Sequence, residues 1–329
     1  MKTIRPYLSI LITGVIVFFL IKPLAQTHAQ LKDMVSIHIQ WRWLLCSFLC
    51  LLFYSYAYLF PFVRLLSGIT QRQVSFRDVF TLFHLANITR YLPGRIWGVV
   101  RLLSLGKRFG LNKTALGGSL TLHVGIETAL SGIISVPLLF SKYTRNTVQD
   151  ILDKTSGHAL LLPLAVIGII VCLLFFVPTL LNRTRRFLKI LCDTSKPLFE
   201  KSFRTHWLNV ILIHTLVRGC HGFAFYLFVR SFASVPISDV GTLTACYAFA
   251  WICGFLSFLT PGGLGIREGL LALLLANYMP VPKAMLVAML CRIWTLAAEI
   301  VLAGVAFILN TVILKTNDEQ YAQIGPVQR

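Results

Sequence analysis

The chain reads as a series of apolar runs separated by short, mostly basic connections. A helix needs about 20 apolar residues to cross a hydrocarbon core of about 30 Å. Runs of that kind fall at 43–63, 116–140, 160–181, 207–229 and 284–309. A shorter run at 7–21 is flanked by Arg5 and Lys22, whose long stems reach an interface. Two further apolar stretches behave differently. Residues 79–92 and 96–105 would be about 21 and 15 Å long as helices, so neither spans alone, and Pro93-Gly94 divides them. Residues 240–279 are interrupted by Pro261-Gly262-Gly263-Leu264-Gly265. Proline and glycine stop a helix. Unwound backbone at membrane depth persists only where protein buries it or where it lines a wet cavity. The pattern predicts an all-α polytopic membrane protein with about six full spans plus two broken or re-entrant helical hairpins.

Composition narrows the class. Hydrophobic residues make up 56% of the chain and charged residues 13%, about half the charge of a soluble domain. The longest polar stretch, 182–206, is too short for a separate catalytic domain. We expect a single transmembrane domain over 1–314 and a short cytoplasmic tail at 315–329. The net charge of +19 raises nucleic acid as a partner, but no groove-binding motif is present. Lys and Arg gather instead on one side of the spans: Arg64, Arg72 and Arg77, then Lys107, Arg108 and Lys113, then the basic loop 182–206. That asymmetry puts both termini in the cytoplasm of a multi-pass protein of the cell membrane. Thr27-His28-Ala29 could be a cleavage site after 7–21, but Lys22-Pro23 directly after the run favours an uncleaved first helix.

With this orientation the chain has a mirrored plan. A first half-repeat at about 41–140 holds an out-to-in helix, a hairpin entering from inside and an in-to-out helix. A second at about 207–312 holds the same parts inverted, and 141–206 joins them. Such inverted-topology repeats are the plan of many secondary transporters, with broken helices meeting near the midplane.

The charges inside these segments point to a site. Arg90, Arg95 and Arg101 flank the first break, and Arg218, Arg267 and Arg292 lie in the second half. Glu127, Glu268 and Glu299 are equally deep. At about 2.5–3.5 kcal/mol per intramembrane charge, nine unpaired groups would cost roughly 25 kcal/mol, more than a typical domain's net stability. They must pair, face water, or both. Ion pairs such as Arg267–Glu268 and Arg292–Glu299 could simply lock helices together. Six arginines against three acids still leave a positive surplus, which suits an anionic ligand such as a phosphate. Ser119, His123, Glu127 and Ser131 recur every four residues on one helix face. Arg292, Thr295 and Glu299 form a second polar face, and His214, Arg218 and His221 a third. The histidines suit interhelical hydrogen bonding as readily as ligand binding. His123–Glu127 is one pair, too few for a metal site. Gly265 and Gly269 suit close helix packing or, beside the break, exposed amides for a phosphate. No P-loop or dinucleotide fingerprint occurs. The eight cysteines contain no CxxC and imply neither zinc nor a disulfide framework. No cofactor is expected.

Leu92-Pro93-Gly94-Arg95-Ile96-Trp97-Gly98 with Arg101, together with Pro261-Gly262-Gly263-Leu264-Gly265-Ile266-Arg267-Glu268, resembles the membrane region of lysylphosphatidylglycerol synthases. That region defines a wider group of flippase-like integral membrane proteins, often linked with glycolipid pathways. Trp97 stands where a small residue is expected. The resemblance implies translocation of an anionic phospholipid or lipid-linked glycan between leaflets. It does not carry aminoacylation, because only 315–329 follow the last apolar run and no synthase domain is expected there. The expected substrate-binding set is Arg95, Arg101, Arg267, Arg292, Glu127, Glu268, Glu299 and His123, with Pro93, Gly94, Pro261, Gly262, Gly263 and Gly265 letting headgroup and backbone approach. Two other readings stay open: a membrane glycosyl- or phospho-transferase using a polyprenyl-linked donor, and a non-transporting scaffold for a lipid or glycan biosynthesis enzyme.

Overall fold

The computed structural model describes residues 38–91, 97–139, 204–256 and 265–324. The expected spans at 7–21 and 160–181, the basic loop, and the core of both Pro-Gly breaks lie outside these residues. Every regular element among the described residues is helical: α1 (Trp41–Ala57), α2 (Leu59–Thr70), α3 (Phe76–Asn87), α4 (Trp97–Gly106), α5 (Lys113–Leu139), α6 (Arg204–Arg230), α7 (Val240–Leu256), α8 (Ile266–Leu275) and α9 (Val281–Ile324).

Four stretches are long and apolar enough to cross a membrane: Trp41–Thr70, Lys113–Leu138, Trp207–Arg230 and Val281–Thr311. The first is α1 and α2 in succession, interrupted at Tyr58. Pro61 explains the interruption, because its ring has no N–H and clashes with the carbonyl four residues back, that of Ala57. α3, α4 and α8 have 12, 10 and 10 residues, about 18, 15 and 15 Å, too short to span. They are the expected short arms on either side of the breaks. α9 has 44 residues and continues through 315–324. No glycine or proline lies between Gly304 and Gly325-Pro326, so nothing stops the helix where the apolar run ends.

The packing is reciprocal. α1 lies along α6, the opening helix of one half against that of the other. α7, the first arm of the second break, packs on α5, while α3, the first arm of the first break, packs on α9. The second arms stay with their own halves, α4 on α5 and α8 on α9. Exposed apolar stripes run along the outside at helical spacing. Trp41, Leu45, Leu49 and Phe53 form one on α1, and Leu208, Leu212 and Leu216 form one on α6. Surfaces of that kind fit hydrocarbon.

Among the described residues there are two large apolar cores, beside a smaller cluster of Leu138, Ala245, Cys246 and Leu274. One joins Leu51, residues 224–229 of α6, Leu243, Leu271, Leu275 and the Ala284–Ala298 part of α9. The other joins α2, α3, α4, the start of α5, Val210 of α6, and Leu302 and Ala306 of α9. α6 feeds both, and between its two contributions it carries the buried His214, Arg218 and His221. Buried His123 and Glu127 stand on α5. A polar belt thus separates the cores. At its centre Arg218 Nη1 donates to Glu127 Oε1 at 2.6 Å.

Two outcomes follow from this packing. α6 and α7 approach closely at Gly222, where an added Cβ would fall 2.2 Å from the Thr244 side chain. Thr244 is tied to its own helix through the Val240 carbonyl at 2.7 Å. Gly222→Ala should destabilise the protein by about 1–3 kcal/mol, read as a lower midpoint of thermal unfolding in detergent, and Thr244→Ala in the same chain should restore most of it. Arg218→Ala strands the Glu127 carboxylate and should cost about 3–5 kcal/mol. The double change Glu127→Leu with Arg218→Met should unfold at a higher temperature than Arg218→Ala alone. A double variant no better than the single one would show that the pair is not what sets the loss.

Candidate functional site

A cavity opens beside the polar belt, between the two halves. It has two adjoining compartments that share Tyr58, Phe83, Asn87, Trp251, Arg267 and Arg292 in their walls. The larger, about 350 Å³, adds apolar residues of α4, α5 and α7: Val99, Leu102, Leu120, Val124 and Phe255. The smaller, about 180 Å³, adds polar ones: Ser55, Glu127, His221, Tyr247, Thr295 and Glu299. A molecule with an apolar portion and a charged, hydroxyl-bearing portion matches both sides of this division.

Arg267 is a firmly held cation of the cavity. It sits in the first turn of α8. Gly265, just before that helix, has φ of 88°, a left-handed conformation that favours glycine. Its N–H donates to Glu268 Oε2 at 2.8 Å. The carboxylate thereby satisfies one of the orphan amides of the helix start. Arg267 lies between these two residues, and its Nη2 donates to the Tyr247 hydroxyl. Its guanidinium also lies 4.9 Å from the Tyr247 ring centre, a cation–π contact. Arg292, Thr295 and Glu299 line the polar compartment from one face of α9. The Thr295 hydroxyl donates to the Arg292 carbonyl at 2.9 Å.

The wall behind is aromatic and histidine-rich. His221 stacks on Tyr54 at 3.9 Å and meets Tyr247 edge-on at 4.6 Å. Arg218 lies over Trp251 at 5.2 Å. His214 Nδ1 is 3.7 Å from Glu127 Oε2, and the His123 and His214 ring centres are 4.8 Å apart.

Of the expected site residues, Glu127, Arg267, Arg292 and Glu299 come together in the cavity walls. His123 is fully buried against His214 and Tyr58, behind the cavity. Glu268 and Gly265 hold each other. Gly265 therefore does not offer a bare N–H to a ligand, and Glu268 is buried in a capping role. Arg101 is exposed on α4, whose cavity face is Gly98, Val99 and Leu102. Pro93, Gly94, Arg95, Pro261, Gly262 and Gly263 lie outside the described residues. Ser119 and Ser131 of the polar stripe are buried but donate to the carbonyls of Ala115 and Glu127 on their own helix. Among the described residues no group of three His, Cys, Asp or Glu side chains is placed to hold a metal. Sequence reasoning missed the aromatic wall. Its signal is the four-residue spacing of Tyr54 with Tyr58 and of Tyr247 with Trp251, two more stripes that reach the cavity.

No curated protein and no solved structure matches this chain. Residues 7–304 match the family described as the lysylphosphatidylglycerol synthase TM region. The match covers nearly all of the apolar chain, including both Pro-Gly breaks, the cavity and its arginines. The chain belongs to the lysylphosphatidylglycerol synthase TM-region family of multi-pass membrane proteins.

Proposed function

We propose that the chain moves an anionic phospholipid or lipid-linked glycan between membrane leaflets, without acting as an enzyme on it. The observation that carries this reading is that Arg267 and Arg292 line both compartments of one cavity, at the junction of its polar and apolar walls. A phosphate held there has its headgroup on the side of Thr295, Glu299 and Tyr247. Its first acyl or prenyl carbons lie on the side of Val99, Leu102 and Phe255. Arginine suits this position because its planar fork holds a phosphate through paired hydrogen bonds and stays charged.

The reciprocal packing supports an inverted-topology repeat. Opening helices pair, and each half's first broken arm crosses onto the other half's last helix. Rocking of one half against the other would open the cavity first to one leaflet and then to the other. The charge pattern supports the orientation. Arg64, Arg72, Arg77, Lys107 and Lys113 are exposed around the ends of α2 and α4 and the start of α5, which we assign to the cytoplasm. The opposite end is closed by Gln40 N–H donating to the Ser231 carbonyl at 2.9 Å and by Arg230 over Trp43 at 4.1 Å.

Reconstitution tests the reading. In vesicles carrying fluorescent phosphatidylglycerol, the wild-type chain should speed equilibration between leaflets over protein-free vesicles. Arg267→Ala should abolish the gain. Tyr247→Phe, which keeps the ring and removes the acceptor, should reduce it by about tenfold or more, the worth of a charge-assisted hydrogen bond of roughly 1.5–3 kcal/mol. Arg101→Ala, outside the cavity, should retain it. Normal transport by a folded Arg267→Ala protein would remove this assignment of the site. Turnover of a lipid-linked sugar by the purified protein would favour the transferase reading instead.

A further inference from the structure

The polar belt contains more hydrogen-bonding capacity than it uses. Both ring nitrogens of His123, His214 and His221, and Arg218 Nη2, are buried without a hydrogen-bond partner. Arg218 is 2% exposed, Glu127 2%, His123 and His214 0%, and His221 5%. Leaving a buried polar atom unmatched costs about 1–3 kcal/mol, so a cluster of this size is built for a state in which those atoms are used. The arrangement has one carboxylate with two oxygens and two candidate cations. Arg218 holds Oε1 at 2.6 Å. His214 Nδ1 stands 3.7 Å from Oε2, too far for a hydrogen bond but placed to make one.

We infer that His214 is a proton-binding site coupled to the anion held in the cavity, and that protonation of His214 beside the Glu127 carboxylate frees Arg218 to act on that anion. This rests on the reading of the cavity as an anionic headgroup site. The proton comes from solvent as hydronium: its O–H bond breaks as an N–H bond forms on the free lone pair of the imidazole, and a water molecule is left behind. Both ring nitrogens then carry hydrogen, so an N–H faces Oε2 whichever tautomer was present before. The carboxylate charge becomes matched by the imidazolium, and the guanidinium charge is left in surplus. Arg218 already lies over Trp251, and the Trp251 ring lines both compartments. An anion in the cavity meets that surplus, so proton and anion enter together and the belt stays near neutral.

The groups around the cluster are compatible with this order of events. α6 packs against α1, α2, α5 and α7. From α5 come Glu127 and His123, the latter 4.8 Å from the His214 ring centre. Tyr58, between α1 and α2, touches His123. From α1, Tyr54 stacks on His221, and the Cys50 carbonyl receives the Cys220 thiol at 3.9 Å. From α7, Tyr247 meets His221 and also receives Arg267. Among these, Glu127 is the one carboxyl group, and it faces His214. The proton is therefore drawn to the imidazole that faces it, His214, rather than to His123 or His221.

Two readings of the full chain in detergent test the inference. The first needs no lipid. Across the pH range in which the protein stays folded, tryptophan emission should show a transition. It should be absent from Trp251→Phe and from His214→Gln. His214→Asn serves as the second variant should the glutamine protein not remain monodisperse. The same transition in a folded His214 variant, or none in the wild type, overturns the proton site. The second reading is calorimetric titration with dihexanoyl phosphatidylglycerol in two buffers of different ionisation enthalpy. The wild type should take up one proton per lipid bound, and its affinity should rise by up to about tenfold per pH unit lowered through the transition. His214→Gln should bind without proton uptake and with an affinity flat in pH. A histidine that only packs the core would lower stability and leave the proton count unchanged, which overturns the coupling. A wild-type emission transition with no lipid binding keeps the proton site and overturns the headgroup reading instead.

Discussion

The bond between Glu127 and Arg218 sets the terms for the rest of the molecule. Each residue alone would place an uncompensated charge at a buried position, Glu127 and Arg218 both being 2% exposed. Taking an ion out of water costs several kcal/mol even after relaxation, and the cost is offset only by close geometry and further hydrogen bonds. The two side chains come from different halves of the chain, 91 residues apart in sequence. The pair therefore fixes how far along its axis α5 sits against α6. A one-turn slip, about 5.4 Å, would break it. Apolar packing alone tolerates such slips among helices as uniform as these, so the charged pair adds the register that the two cores do not specify.

The cavity follows from that register. Each half supplies an incomplete wall. α3, α4 and α5 bring Asn87, the small Gly98 and Glu127; α7, α8 and α9 bring Tyr247, Trp251 and the two arginines. Neither set holds both a cationic centre and a space bounded on all sides. Crossing each half's first broken arm onto the last helix of the other encloses the space and keeps it at the polar belt, between the two cores. Helices of about 15–18 Å cannot span a core of about 30 Å, and the cavity lies beside these short arms.

Much of this was legible along the chain. Long apolar runs marked the spans, and their lengths separated helices that cross from arms that stop. The four-residue stripes on α5 and α9 placed Glu127, Arg292 and Glu299 on buried or cavity-facing sides, because helical period decides which side chains share a face. The partners were not legible. Arg267–Glu268 and Arg292–Glu299 look like pairs because they are near in sequence. Yet in the first of these Arg267 is held by a tyrosine on α7 and Glu268 by the glycine three residues before it. Glu127 found its arginine on another helix. Local spacing reports faces, whereas pairing across helices depends on how those helices cross. Arg101 was placed in the site by its nearness to the break; it is exposed on α4, where Gly98, Val99 and Leu102 line the cavity. The length of α9 was missed because an apolar run measures membrane depth, while a helix ends only where a breaker stands.

The second break shows why a motif rich in glycine should carry an arginine and a glutamate directly after it. A helix that starts at membrane depth exposes orphan amides with no water to satisfy them. Glu268 reaches back to one of these, and only a residue free to take φ of 88° lets the chain turn so that it can. The cap holds the backbone on both sides of Arg267. Tyr247 then holds the guanidinium from a neighbouring helix through its hydroxyl and its ring. Four residues of local sequence and one aromatic contact convert a flexible side chain into a fixed positive charge in the cavity wall. A fixed charge loses less entropy when an anion arrives than a mobile one does. On this argument the glycines, the glutamate and the tyrosine need not touch the ligand at all. They are what makes the arginine usable.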